Sequence, residues 1–222
     1  MGHVLAAEIE RFVRTTAPDE DAVLEEMATY ARRRQFPAVG PDVGGALRLI
    51  ARLIDARRIF EFGSGYGYSA YWFAGALPAD GEIVLTEVNE NDLEDARTFM
   101  ARGGFDDVAR YELGDALETI DRYDGPFDAV LLDHQNDRYL EAFEAVRNDL
   151  SPGGVLIADN VIGADEVDLE SLLALVRDEN PGDVDRDTNG IGEYLRAVRR
   201  APDFETVVLP LGEGISVSVR LE

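Results

Sequence analysis

The chain contains no cysteine and no lysine. The first absence excludes disulfides, thiolate metal centres and a cysteine nucleophile. The second leaves arginine as the source of all 21 bases, set against 45 acids for a net charge of −24. So negative a surface repels nucleic acid and anionic membranes at ordinary salt. The acid excess runs along the whole chain, and with lysine depletion it predicts a halophilic protein, folded for concentrated salt where the Debye length is short. Long hydrophobic runs are missing too: nothing approaches the roughly 18–20 apolar residues of a membrane span. The opening MGHVLAAEIERFVR carries acids where a signal peptide has a basic head and an apolar middle. The expectation is a soluble, cytoplasmic protein. Repeats, low-complexity tracts and linkers are also absent, so 222 residues with 45% apolar content predict one domain over 1–222 with a sizeable core.

What is present is an alternation. Helical periodicity covers about 4–15, 19–34 and 42–55. Short apolar runs then read as strands: RRIFEFG (57–63), GEIVLTEVN (81–89), VARYEL (108–113), FDAVLLD (127–133) and GGVLIADN (153–160). Helical stretches at 67–77, 90–102, 115–121, 137–149, 166–179 and about 190–200 lie between and after them. FETVVLPL (204–211) and GISVSVRL (214–221) flank Gly212-Glu213-Gly214 and read as a hairpin. Such alternation predicts an α/β fold: a mostly parallel sheet with helices on both faces and an antiparallel strand from the hairpin. The helices of 1–55 are expected to cover the site, and 56–222 to form the core. Ligands of such sheets bind beyond the carboxyl ends of the strands.

Two groups of residues sit at those ends. Gly63-Ser64-Gly65-Tyr66-Gly67 follows the first core strand and opens a helix. Glycines there allow a sharp turn and close approach to a ligand. The dinucleotide fingerprint needs its third glycine one residue later, where this chain has Tyr68, which argues against a pyrophosphate cradle and an NAD dehydrogenase. Glu87 ends the second strand, where an acid can accept from both ribose hydroxyls. A ribose without a phosphate cradle suggests S-adenosylmethionine. The second group is Asp133 with Asp159-Asn160, at the ends of two similar strands. If those strands are neighbours, two carboxylates and an amide carbonyl converge, a donor set suited to Mg²⁺. Singly, each of these residues also suits a cap or a loop start. No His/Cys cluster suggests zinc.

EFGSGYGYSA (61–70), LLDHQNDRY (131–139), IADNVI (157–162) and LPLGEGISVSVR (209–220) resemble the signature segments of the cation-dependent O-methyltransferases. The resemblance spans roughly 35–220 and is strongest to the catechol branch, with a further likeness to the caffeoyl-coenzyme A branch. It implies a Rossmann-like class I methyltransferase with a seven-stranded, mostly parallel sheet whose last strand is antiparallel. It implies Asp133, Asp159 and Asn160 as Mg²⁺ ligands and Glu87 as the ribose acid. Glu61, Gly63, Tyr68 and Ser69 match the cofactor loop, and Val39 matches a residue at the methionine end. Asp115, Ala116, Asp133 and His134 complete the implied cofactor contacts, with Asp115, Ala116 and His134 around the adenine. A small-molecule acceptor follows, and a homodimer is compatible, since the broader family is often dimeric and the catechol branch monomeric.

The chain departs from the family at two positions. The lysine that takes the proton from the attacking hydroxyl, three residues after the first metal aspartate, is Asn136 here. The tryptophan before it is Gln135. A neutral amide is no general base, so the catalytic role of Asn136 is open beside that of Asp133. Asp187, Asn189 and Glu193 are candidates for the late acid that meets the acceptor's second hydroxyl. A catalytically impaired S-adenosylmethionine-binding protein and a tRNA-modifying relative are the alternatives; the net charge argues against the latter at low salt.

Overall fold

A computed structural model describes residues 4–163 and 167–221. Three helices come first: α1 (Ala7–Thr16), α2 (Ala22–Arg34) and α3 (Gly40–Leu53). Strands β1 (Arg58–Phe62), β2 (Glu82–Glu87), β3 (Ala109–Leu113), β4 (Phe127–Leu132) and β5 (Leu150–Ala158) follow. Between them lie α4 (Tyr68–Ala74), α5 (Glu90–Gly103), α6 (Ala116–Ile120) and, after a 3-10 turn at Asn136–Arg138, α7 (Tyr139–Val146). Last come α8 (Leu169–Val176), α9 (Arg186–Arg200), β6 (Phe204–Leu209) and β7 (Ile215–Arg220). The part of the expected 166–179 helix at Glu166 lies outside the described residues.

The sheet has seven strands in the order β3-β2-β1-β4-β5-β7-β6. β1 to β5 pair in parallel, whereas β7 runs antiparallel to both its neighbours. The strand order therefore switches between β1 and β4, and a crevice opens there at the carboxyl edge. Central strands are buried on both faces, which is why they read as continuous apolar runs. Ile59, Leu85, Leu131 and Ile157 enter the core beneath α3 to α5. Phe60, Val84, Val130 and Leu156 enter the core beneath α6, α7 and α9.

Two elements differ from the sequence expectation for local reasons. α9 starts at Arg186, not near 190, because Asp185 caps it by accepting from Thr188 N at 2.8 Å. Gly190 lies inside the helix. A Cβ there would stand 2.4 Å from Asp137 Cα and 2.7 Å from the Asn136 carbonyl oxygen, so only glycine lets α9 lie against the 3-10 turn. β5 starts at Leu150, not 153, and takes Leu150-Ser151-Pro152 into the strand. Its register against β4 shifts there: Leu150 pairs with Phe127, but Val155 with Ala129. Ser151 Oγ anchors this bulge to Asp128 Oδ1 at 2.9 Å.

The N-terminal helices are fastened to the core mainly through neutral donors. Tyr68 Oη donates to Glu20 at 2.9 Å and Tyr71 Oη to Asp21 at 2.8 Å. Tyr30 of α2 donates to Asp95 of α5. α2 buries Leu24, Met27 and Ala31, whereas α1 has no buried residue.

Candidate active site

A cleft of about 620 Å³ lies at the carboxyl edge of the sheet, roofed by the N-terminal segment. Its floor is the loop between β1 and α4. Gly63, at φ +80°, lies so close to the next strand that a Cβ would be 2.5 Å from the Asp133 carbonyl oxygen. Ser64 N donates to Thr86 O at 2.9 Å, and Gly65 N donates to Glu87 Oε2 at 3.0 Å. Asn89 N donates to the other Glu87 oxygen at 2.9 Å. Two backbone donors thus orient the Glu87 carboxylate, which lines the cleft with lone pairs to spare.

Glu61 lies beneath this loop, outside the cleft lining and fully buried. Neither carboxylate oxygen has a hydrogen-bond partner of good geometry. Burial pushes its carboxyl up to about 8, and the Ser69 hydroxyl pulls it only partly back.

Sheet register assembles the second group. Leu132 of β4 is level with Ala158 of β5, so Asp133 and Asp159 leave the sheet at equivalent points. Asp133 N donates to Phe62 O at 2.9 Å, and Asp159 N to Leu132 O at 3.0 Å. Asn160, in the left-handed region at φ +61°, turns its Nδ2 to Asp133 Oδ1 at 3.3 Å. Its N–H donates to Asp159 Oδ1 at 2.8 Å. The Asp133 carboxyl is raised well above its ordinary range, first by burial and then by the charges of Asp159, Glu61 and Glu213. Asp159 is raised as well, by burial and by Glu213 and Asp42. Buried carboxylates that disfavour one another's charge fit a cation between them. Among the described residues no three His, Cys, Asp or Glu side chains converge as a metal-holding group; the set here is two carboxylates and an amide, all oxygen donors.

At the far end of the cleft Asp115 caps α6, accepting from Leu117 N at 3.0 Å. Its other oxygen accepts from Arg138 Nη1 at 2.7 Å. Burial raises the Asp115 carboxyl, but the Arg138 bond, the Leu117 N–H and the Arg138 charge together hold the group below its ordinary range. His134 packs between Phe62 and Tyr139, with ring centroids 5.4 and 5.3 Å away. Burial, then Arg138, pushes His134 down to about 4, so the ring is neutral near pH 7. Both of its nitrogens are buried without a partner.

Val39, Gly63, Tyr68, Ser69, Ala116 and His134 line the cleft, as do Glu87, Asp115, Asp133, Asp159 and Asn160. Asn136 does not; it lies in the 3-10 turn beneath Gly190 of α9. Asp187, Asn189 and Glu193 are on α9 and do not line it either. Sequence reasoning missed Arg14, Asp42, Arg138 and Glu213, which do. Of these, Arg138 sits inside the quoted LLDHQNDRY segment. The other three come from α1, α3 and the hairpin turn, where nothing local marks them.

Strand order and the single reversed strand place the protein among the Rossmann-like class I methyltransferases. The profile of the O-methyltransferase family matches residues 14–221. The chain belongs to that family. It is 28% identical over 168 residues to the catechol O-methyltransferase of Niastella koreensis, covering 73% of this chain and 76% of that protein. Over 219 residues it is 26% identical to the caffeoyl-CoA O-methyltransferase of Medicago sativa, covering 92% and 84%. The crystal structure of the O-methyltransferase TomG from Streptomyces achromogenes, in complex with S-adenosylmethionine, superposes with a TM-score of 0.83 at 27% identity, covering 97% and 96%. No helix among the described residues is long and apolar enough to cross a membrane.

Proposed function

We propose that this chain is an S-adenosylmethionine- and Mg²⁺-dependent O-methyltransferase acting on a catechol-like or other vicinal-diol small molecule. One observation carries the reading: sheet register gathers Asp133, Asp159 and Asn160 at one edge of a cleft whose other wall is the Gly63 loop and Glu87. S-adenosylmethionine in TomG and the catechol activity named for the Niastella koreensis relative support it.

In this scheme Glu87 accepts from the ribose hydroxyls, pre-set by Gly65 N and Asn89 N. Asp115, Ala116 and the neutral His134 take the adenine end, and Val39, Gly63, Tyr68 and Ser69 hold the methionine end. Glu61 is neutral near pH 7 in the free protein, and a positively charged donor above it would favour its ionised form. Asp133, Asp159 and Asn160 would hold Mg²⁺, which supplies Lewis acidity that lowers the acceptor hydroxyl's pKa. The protein's main contribution is then to hold oxygen and methyl carbon in line. Asn136 carries no basic group, and His134, at the adenine end, is a structural ring. Proton removal falls to water or hydroxide, so the enzyme is slower, or needs higher pH, than a lysine-bearing relative by part of the roughly 10²–10⁴-fold that general-base catalysis provides.

A methylation assay with a panel of catechols tests the reading. Product should form with Mg²⁺, stop with chelator and return when Mg²⁺ is added back. Turnover indifferent to chelator refutes the metal. Tight adenosylhomocysteine binding with no turnover of any diol supports the second reading, a cofactor-binding protein without catalysis, which Asn136 favours.

A further inference from the structure

Asp42 lies across the cleft from the strand ends, on the first turn of α3. It is 7% exposed, and its Oδ1 is buried without a hydrogen-bond partner. Arg14 Nε of α1 stands 3.5 Å from that oxygen, a charge contact outside hydrogen-bond geometry, and Glu10 holds the same guanidinium at 2.9 Å. The turn is closed against the carboxylate: a Cβ on Gly40 would be 2.9 Å from Asp42 Oδ1. A buried acceptor atom left unpaired is costly. An orphan that lines a binding cleft has a simple complement, a donor brought by the ligand. On the reading above, the acceptor carries two adjacent hydroxyls. One oxygen takes the methyl group and the other keeps its proton. The α9 side chains Asp187, Asn189 and Glu193 do not line the cleft, and Asn189 Nδ2 already donates to Glu193 at 3.1 Å.

We propose that Asp42 Oδ1 accepts the hydrogen bond of the acceptor's unmethylated hydroxyl, making Asp42 the residue that selects a diol over a lone hydroxyl. Arg14 is a positioning residue that holds this carboxylate from α1. The proposal rests on the O-methyltransferase reading, and the experiment separates the two. With adenosylhomocysteine and Mg²⁺ bound, calorimetric titrations compare 4-nitrocatechol with 4-nitrophenol in wild type, Asp42→Asn and Arg14→Gln. Wild type is expected to favour the diol. Asp42→Asn should lose about 10–100-fold in diol affinity, the range for a hydrogen bond to a charged group, with 4-nitrophenol and adenosylhomocysteine affinities unchanged. The ratio of the two monomethyl products of 3,4-dihydroxybenzoate should shift too, which a merely structural residue would not cause. Arg14→Gln, on a helix with no buried residue, should show a smaller loss in the same direction and serves where Asp42→Asn fails to fold. Unchanged diol preference in the folded variants overturns the proposal. Weakened adenosylhomocysteine binding in Asp42→Asn also overturns it, by assigning the carboxylate to the methyl donor. If wild type binds adenosylhomocysteine but neither phenol, the function reading fails and the proposal with it.

Discussion

Replacing Glu61 with Gln isolates the cost of a carboxyl the fold buries without partners. The folded carboxyl titrates near 8 against an ordinary 4.5, with burial the cause. At about 1.36 kcal/mol per unit, the raised carboxyl destabilises the fold relative to the unfolded chain by about 1 kcal/mol at pH 5, about 3 at pH 7 and about 4 at pH 8. The sign follows from proton counting. Between roughly pH 4.5 and 8 the folded protein keeps a proton that the unfolded chain has released, so stability falls as pH rises through that window. Gln keeps the shape and removes the titration. The variant should therefore gain about 3 kcal/mol on wild type between pH 5 and pH 8, which for a chain this long is about 6–12 °C in melting temperature. Thermal melts of both proteins at four pH values, in fixed molar KCl with chelator and without ligand, read that difference. The other buried carboxylates are common to both chains and largely cancel. Parallel melting curves across pH would refute the reasoning and mean that Glu61 finds a partner or water in solution. The gain carries a functional loss, because the same variant should bind S-adenosylmethionine more weakly.

Gly190→Ala should destabilise the protein by about 1–3 kcal/mol and lower activity, because the new methyl meets backbone atoms of Asn136 and Asp137; an unshifted denaturation midpoint argues against this packing. Asn136→Lys should raise the rate with catechol, or move the pH–rate profile to lower pH, if a lysine in the 3-10 turn can reach the cleft. If the substitution neither raises the rate nor shifts the profile, the missing-base argument fails. Wild-type melting temperature should climb with KCl from dilute buffer to molar salt, because screening relieves the self-repulsion of the net −24 charge; a flat series contradicts the halophilic reading.

The legible parts of the sequence were those whose local pattern and tertiary role agree. FDAVLLD and GGVLIADN end in polar residues because the strands stop at the cleft, and parallel pairing brings Asp133 and Asp159 level. Glu87 was legible in the same way, as an acid closing an apolar run. Asp42 was not: its exposure is decided by α1 and the hairpin packing around it, and a single acid in a helix's first turn ordinarily favours the helix dipole. The start of α9 was hidden because its Asp185 cap and the close approach at Gly190 are set by tertiary packing. Leu150-Ser151-Pro152 was not legible as strand because it joins β5 through a bulge. The position of Asn136 was readable, but its seat under Gly190 depended on an element more than fifty positions downstream, beyond any local window.

That bulge has a consequence for how the enzyme can vary. Between Leu150 and Val155 the fifth strand uses more chain than its neighbour, pinned by Ser151 to Asp128, whose other oxygen accepts from Arg57 N and Arg58 N. It acts as a spacer that times the arrival of Asp159. Shortening it by one residue would keep every apolar side chain in the strand but send each to the opposite layer, and the carboxylate would face away from Asp133. Surface turns in general tolerate insertion and deletion. This one is a ruler, and its length must be inherited intact.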